Sequence, residues 1–366
     1  MRILFFNWRD INDPLAGGAE AYVHHIAAGL AMKNEVFFYC RRYKGSNHKD
    51  TLDGIRFVRH GGSYSLYLWA FFDYIFKLHR ENFDVVVEDI NGVPFLTPIF
   101  VRKPKVAIVH HIVGKEIFFK ELPFPLAIVG WLSEKLIPFI YKKVTVVTVS
   151  PSTKEELIAF GISANRIRIV WSGREQQDRG AVKQSEKPLI IYLGRIKSYK
   201  QLDHLLYAFA KVIPHVPQAE LGIAGRGDYD ELERLAESLG IKQSVKFMGE
   251  VSEEQKYEIL KRAWVFATTS IKEGWGLSVI EANYFGAPAV AYDVPGLRDS
   301  INDGETGLLV PAGDIEGLAK AIVRVLNDTE LRERLSQNAR SWASTFSYDR
   351  TAGEFAKVIE DVLSGK

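Results

Sequence analysis

The chain has 366 residues, of which 47% are hydrophobic and 25% charged, with a single cysteine and a net charge of +2. At roughly 100–200 residues per domain this length predicts two domains, and the composition excludes a disulfide-stapled module and an intrinsically disordered chain. The small net charge hides an asymmetry: residues 1–174 hold 23 Lys/Arg against 16 Asp/Glu and 27 of the 44 aromatics, whereas residues 175–366 hold 24 against 29. A basic, aromatic-rich half suggests a membrane surface, a nucleic acid or an anionic lipid as partner.

The chain opens MRILFFNWRD, which places Arg9 and Asp10 before any signal-peptide core could form, and Cys40 has no internal disulfide partner. Both features predict a reducing, cytoplasmic setting. Ile3–Trp8 reads as a strand, residues 9–18 as a polar loop and Ala19–Met32 as a helix. Further buried strands are expected at Glu35–Cys40, Ile55–His60, Asp84–Glu88, Val106–His110 and Val144–Val149, most separated by enough chain for a crossover helix. The most membrane-like run, Leu122–Leu132, is 11 residues long and holds two prolines, so no segment is expected to cross a bilayer.

Residues 174–188 (REQQDRGAVKQSEKP) lack apolar periodicity and read as a linker. The alternation then restarts: strand Leu189–Leu193, helix Gln201–Val212, strand Ala219–Ala224, helix Tyr229–Leu239, strand Val245–Met248, helix Glu253–Arg262 and strand Val265–Thr269. Helix Ser278–Phe285, strands Ala289–Tyr292 and Leu308–Val310, helix Ile315–Leu326 and a final helix within Tyr348–Leu363 complete the pattern. This predicts two doubly wound α/β domains facing across a cleft: residues 1–174, joined by the C-terminal helix 346–366, and residues 188–345.

Three loops carry the chemistry. Gly17-Gly18-Ala19-Glu20 follows a strand and opens a helix, where free amides attract an anion. Gly194-Arg195, with Lys200 five residues on, sets two cations at the carboxyl end of a strand, suited to a pyrophosphate leaving group. In Glu273-Gly-Trp-Gly-Leu-Ser-Val-Ile-Glu281 the glycines break the helix, so Glu273 lies in a loop while Gly276, Leu277 and Ser278 offer amides at a helix start, and Glu281 falls about one turn in. Two carboxylates at this spacing would suit a glycosidase, but adjacent anion-binding groups fit an activated sugar donor better. Neither the first loop nor Ala224-Gly225-Arg226-Gly227 completes the dinucleotide GxGxxG pattern.

Together, YLGRIKSYKQLDHLLYAF (192–209), EGWGLSVIEANYFGAPAVA (273–291), the Gly17–Glu20 loop and DGETGLLVPAGD (303–314) resemble the retaining GT-B glycosyltransferases of family 4, over almost the whole chain. The resemblance implies a GT-B fold of two Rossmann-like domains and a retaining, metal-independent hexosyltransferase taking a UDP- or GDP-sugar. It places Glu281 on the ribose hydroxyls, Glu273 on the transferred sugar, Arg195 and Lys200 on the diphosphate, and Gly17, Gly18, Gly276, Leu277, Ser278 and Val279 near phosphate. His110 matches the family's histidine near the reacting sugar. Neighbours in a strand face opposite sides, so His111 is expected as a core residue. Gly194 belongs to the phosphate loop, while Arg226, Met248, Glu250 and Val251 surround the expected base pocket.

In place of the family's Pro-Asn-Gly turn the chain has Val170-Trp171-Ser172-Gly173-Arg174. No His/Cys cluster has metal-ligand spacing, so no metal and no separate cofactor is expected. The segments 64–80 and 118–143, aromatic and punctuated by Lys and Arg, predict peripheral attachment to the cytoplasmic face of the cell membrane and a lipid-linked or cell-surface glycan acceptor. No nucleic-acid motif is present. The alternative of a nucleotide-sugar epimerase with the same architecture would need no acceptor.

Overall fold

A computed structural model describes residues 1–175, 180 and 182–365. The chain divides into two compact units, Met1–Gly173 with Ser347–Lys366, and Arg174–Phe346. Each is a predominantly parallel sheet flanked by helices, the arrangement of a Rossmann-like domain. The expected linker 174–188 lies partly outside the described residues, as does Lys366 at the end of the expected terminal helix.

In the first unit the strands are β1 (Arg2–Phe6), β2 (Glu35–Cys40), β3 (Lys49–Leu52), β4 (Ile55–Arg59), β5 (Val85–Ile90), β6 (Lys105–Val109), β7 (Thr145–Thr148) and β8 (Ile167–Ile169), in spatial order β3-β4-β2-β1-β5-β6-β7-β8. All pairings are parallel except the β3–β4 hairpin. That hairpin turns at Asp53-Gly54, both at positive φ, as a tight primed turn requires. β5 is buried along its whole length, as expected of a central parallel strand covered on both faces. The helix Tyr348–Leu363 returns to this unit: Phe355 is fully buried and stacks on Phe5 at 6.5 Å, and Thr351 Oγ1 donates to the carbonyl of Trp171 at 2.8 Å.

The second unit has β9 (Leu189–Leu193), β10 (Glu220–Ala224), β11 (Val245–Gly249), β12 (Val265–Thr268), β13 (Ala289–Tyr292) and β14 (Gly307–Val310), all parallel, in the order β11-β10-β9-β12-β13-β14. Its core packs Ile190, Ile191, Leu205, Leu206, Phe209 and Val265, each no more than 1% exposed. A long helix, Thr329–Ser344, follows the helix Ile315–Asn327 and was not among the expected elements. Asp328 caps it by accepting from the Leu331 amide at 2.9 Å, a signal present in the sequence but set before a polar run with weak apolar periodicity.

Candidate active site

In the second unit the loops that leave the carboxyl ends of five adjacent strands are laced together by their backbones. Gly194 N donates to Ala224 O at 3.0 Å, Ile196 N to Arg226 O at 2.8 Å and Gly225 N to Gly249 O at 2.8 Å. Ile271 N donates to Tyr199 O and Glu273 N to Pro295 O, at 3.0 and 3.1 Å. The loops after β9, β10, β11, β12 and β13 therefore form one continuous rim. Gly225 makes this possible: its φ is +145°, and a Cβ there would lie 1.9 Å from Gly194 O.

Onto that rim the structure brings most of the expected donor residues. Lys200 Nζ forms an ion pair with Glu273 Oε1, which also accepts from Ser270 Oγ at 2.6 Å. The side chains of Lys200 and Glu273 are only 12% and 19% exposed, so the pair is largely shielded. Arg195 is exposed on the same rim, and its carbonyl accepts from Tyr192 Oη at 3.1 Å. Arg226 and Glu250 are exposed, and Met248 and Val251 half-buried, on the neighbouring loops. Gly276, with φ +84°, turns the chain into the helix Leu277–Tyr284. The first-turn amides of Leu277 and Ser278 have no acceptor within the helix. Val279, expected at the same phosphate-binding end, is different: its amide is bonded to Gly276 O at 2.9 Å and its side chain is fully buried. It therefore offers no open group to a ligand.

Glu281 lies on that helix, paired with Lys256 Nζ at 2.7 Å. Burial raises its carboxyl above the usual range, and Lys256 opposes that rise. Lys256 was not among the expected residues, because a lysine on an amphipathic helix reads from sequence as a solvated charge.

In the first unit the glycine loop differs from expectation. The amide of Gly17 is already bonded to Glu20 Oε2 at 2.9 Å in a capping box, and Arg9 Nη1 holds Glu20 Oε1 at 3.3 Å. Gly17 thus contributes shape, and Gly18 carries the first helical amide. The preceding loop is pinned by two arginines from the neighbouring strand ends: Arg59 Nε to Asp10 Oδ2 at 2.5 Å, and Arg41 to both oxygens of Asp13 at 2.6 and 2.7 Å. Burial pushes the Asp13 carboxyl up, but Arg41 and the Leu15 amide outweigh it and hold Asp13 below its usual value.

His110 follows β6, and its Nε2 lies 2.9 Å from Asp89 Oδ1 at the end of β5. Asp89 is 1% exposed, and its Oδ2 has no hydrogen-bond partner among the described residues. Burial alone would lower the imidazole, but the Asp89 carboxylate, with Glu20 beyond it, holds His110 above its ordinary value. Tyr22 meets the ring edge-on at 5.5 Å. His111, expected as the core residue of the two, is half-buried, whereas His110 is only 6% exposed. Adjacent strand registers juxtapose Asp89 and His110, a pairing that one-dimensional spacing does not reveal.

Family profiles match the chain in two consecutive stretches: residues 16–176 match glycosyltransferase family 4 and residues 173–342 match glycosyl transferases group 1. The chain belongs to the GT-B glycosyltransferases of these groups. An uncharacterized glycosyltransferase of Methanocaldococcus jannaschii is 29% identical over 237 residues, 60% of each chain. A phosphatidyl-myo-inositol mannosyltransferase of Mycobacterium leprae is 32% identical over 177 residues, 48% of this chain and 47% of the relative. The match therefore spans less than two thirds of either relative's length. The crystal structure of Anabaena HepE in complex with UDP-glucose has the same fold, with a TM-score of 0.76 at 19% identity over 99% of this chain and 100% of that one. The epimerase alternative finds no support in these matches.

Proposed function

We propose that the chain is a retaining hexosyltransferase that moves a sugar from a UDP- or GDP-sugar to a lipid-linked or cell-surface glycan. The observation that carries this reading is the gathering of Arg195, Lys200, Glu273 and the Leu277–Ser278 helix start along one loop rim, with Glu281 farther along the helix that the rim opens. In this reading Arg195 and Lys200 hold the diphosphate and, with the helix-end amides, stabilise the charge of the departing nucleotide. Glu273 accepts hydroxyls of the sugar and Glu281 those of the ribose. The same reading assigns His110, oriented by Asp89, to the sugar and the Gly17–Gly18 loop to donor phosphate.

The bond from the anomeric carbon to the phosphate oxygen breaks, and the bond to the acceptor oxygen forms on the same face. The departing phosphate takes the acceptor's proton. No protein nucleophile and no metal is needed, since the two cations and the amides supply the positive charge.

An acceptor at a membrane is supported by two exposed apolar patches in the first unit. The helix Leu66–Phe76 leaves Leu68, Trp69, Phe72 and Phe76 exposed, and the segment from Phe124 to Phe139 leaves Phe124, Val129 and Phe139 more than 60% exposed. Lys115 and Lys135 lie over Trp131, at 5.5 and 4.2 Å from its ring centre. Rings with flanking cations suit a lipid–water interface. Among the described residues no helix is long and apolar enough to cross a membrane, so the proposal is peripheral attachment on the cytoplasmic face. The relative named for phosphatidyl-myo-inositol adds weight to a lipid-borne acceptor.

The test is a thermal-shift screen of the purified chain with UDP- and GDP-sugars in metal-free buffer. At a hundred times its dissociation constant the true donor stabilises the protein by about 2.7 kcal/mol, and Arg195→Ala abolishes the shift. A folded protein that responds to no nucleotide sugar rejects the proposal.

A further inference from the structure

Glu281 is almost enclosed, with its side chain 14% exposed. Lys256, on the helix Glu253–Arg262, is equally shielded at 13% and lies between two carboxylates: Glu281 Oε1 at 2.7 Å and Glu253 Oε2 at 2.6 Å. The two partners are not equivalent. Glu253 is 63% exposed and can exchange Lys256 for water, whereas Glu281 cannot. Glu281 Oε2 has no hydrogen bond among the described residues.

The other groups around Glu281 are mostly acidic or neutral. From the segment entering the unit come Glu175 and Arg174, the latter with its guanidinium stacked on Tyr284 at 3.2 Å. From the Lys256 helix come Glu253 and Tyr257, whose hydroxyl reaches Glu253 at 3.1 Å and Glu175 at 3.2 Å. Tyr284 and Phe285 complete the crevice from Glu281's own side. Glu253 and Glu175 both disfavour a charged Glu281, and burial disfavours it most. Lys256 is the cation in direct contact with it. The ammonium is itself held charged there, since burial would lower its pKa but Glu281 and Glu253 outweigh burial and keep it above the usual lysine range.

We propose that Lys256 is a positioning residue of the donor site, which keeps the Glu281 carboxylate ionised and fixed through Oε1 so that Oε2 is left to accept ribose hydroxyls. This rests on the assignment of Glu281 to the ribose made above. A carboxylate accepting two hydroxyls binds more strongly than a neutral acid, so nucleotide affinity follows the ionisation of Glu281. The affinity is present where Glu281 is a carboxylate and is lost as the pH falls through its raised pKa. Without Lys256 that fall begins at higher pH.

The experiment is calorimetric titration of UDP and of GDP into the full chain from about pH 4, below the ordinary glutamate range, to about pH 8.5, for the wild type, Lys256→Met, Lys256→Arg and Glu281→Gln. In Lys256→Met the midpoint of the acid-side loss of affinity moves up by about one pH unit or more, with binding about tenfold weaker near the wild-type midpoint and convergent with the wild type at the alkaline end. Lys256→Arg restores the wild-type midpoint, and Glu281→Gln binds weakly with no such limb. Should Lys256→Met fail to fold, Lys256→Gln, which keeps a donor without the charge, reads the same midpoint. A midpoint unmoved by loss of the charge, or affinity reduced by one constant factor at every pH, overturns the role of Lys256 while leaving Glu281 on the ribose. Wild-type affinity in Glu281→Gln overturns both.

Discussion

The two units share an architecture and use charge in opposite ways. In the first, arginines are buried against aspartates: Arg59 and Asp10 are 1% and 0% exposed, and Arg41 and Asp13 are 9% and 0%. These pairs are consumed in shaping the loop ahead of Gly17, and what the unit exposes instead is aromatic surface. In the second, the backbone shapes the rim, with loop amides bonded to the carbonyls of adjacent loops, and Arg195 is left exposed. A loop held by its own backbone needs no ion pair for its shape, so Arg195 stays exposed and Lys200 pairs with another residue of the candidate site, Glu273.

The contrast can be broken at several points. The largest effect is expected at Glu273→Ala, which removes the proposed sugar contact and the partner of Lys200. Transfer should fall by about a hundredfold or more, measured as nucleotide release with acceptor present, while circular dichroism remains that of the folded chain. Full activity in a folded variant would remove the second unit's rim from the chemistry. Next, Gly225→Ala drives a Cβ into Gly194 O and should cost about 2–4 kcal/mol in urea unfolding. An unchanged midpoint would mean that the rim is not held by that close approach.

On the first unit, replacing Phe72 and Phe76, which are 46% and 62% exposed, by serine should weaken binding to vesicles rich in anionic lipid by about tenfold. Binding of soluble nucleotide should not change. Equal vesicle affinity in both proteins would dismiss the patch as a lipid surface. The smallest effect concerns His110, whose pKa is raised by Asp89 against the pull of burial. Its pairing stabilises the fold, an effect fully present below about pH 6.5 and lost as the pH rises through the raised folded value. Melting temperature should therefore decline across that window, and Asp89→Asn should flatten the slope.

Much of the second unit is legible directly because its motifs are local. Gly194-Arg195, Lys200 and Glu273 each lie in the segment that follows a strand, and Glu281 on the helix that the Glu273 loop opens, so the carboxyl-edge rule suffices to place these segments together. The first unit resists such reading. Asp89 and Asp10 resemble ordinary acids until the adjacent strand β6 brings His110 against the first and the end of β4, two strands from β1, brings Arg59 against the second, and the amide of Gly17 looks open until Glu20 folds back upon it. The hairpin at β3 escapes a reading by periodicity although Asp53-Gly54 marks its turn, because the four residues Lys49–Leu52 carry no apolar alternation.

By itself the sequence determined the class of fold, most of the strands and helices and the loops that carry the candidate donor residues, because periodicity and glycine placement act over a few residues. Tertiary structure decided which charges are spent and which are offered. Whether Lys256 is a solvated surface cation or the counter-ion of a buried carboxylate depends on a helix 25 residues away in the chain, and an electrostatic interaction is set by distance and burial in space rather than by separation along the backbone.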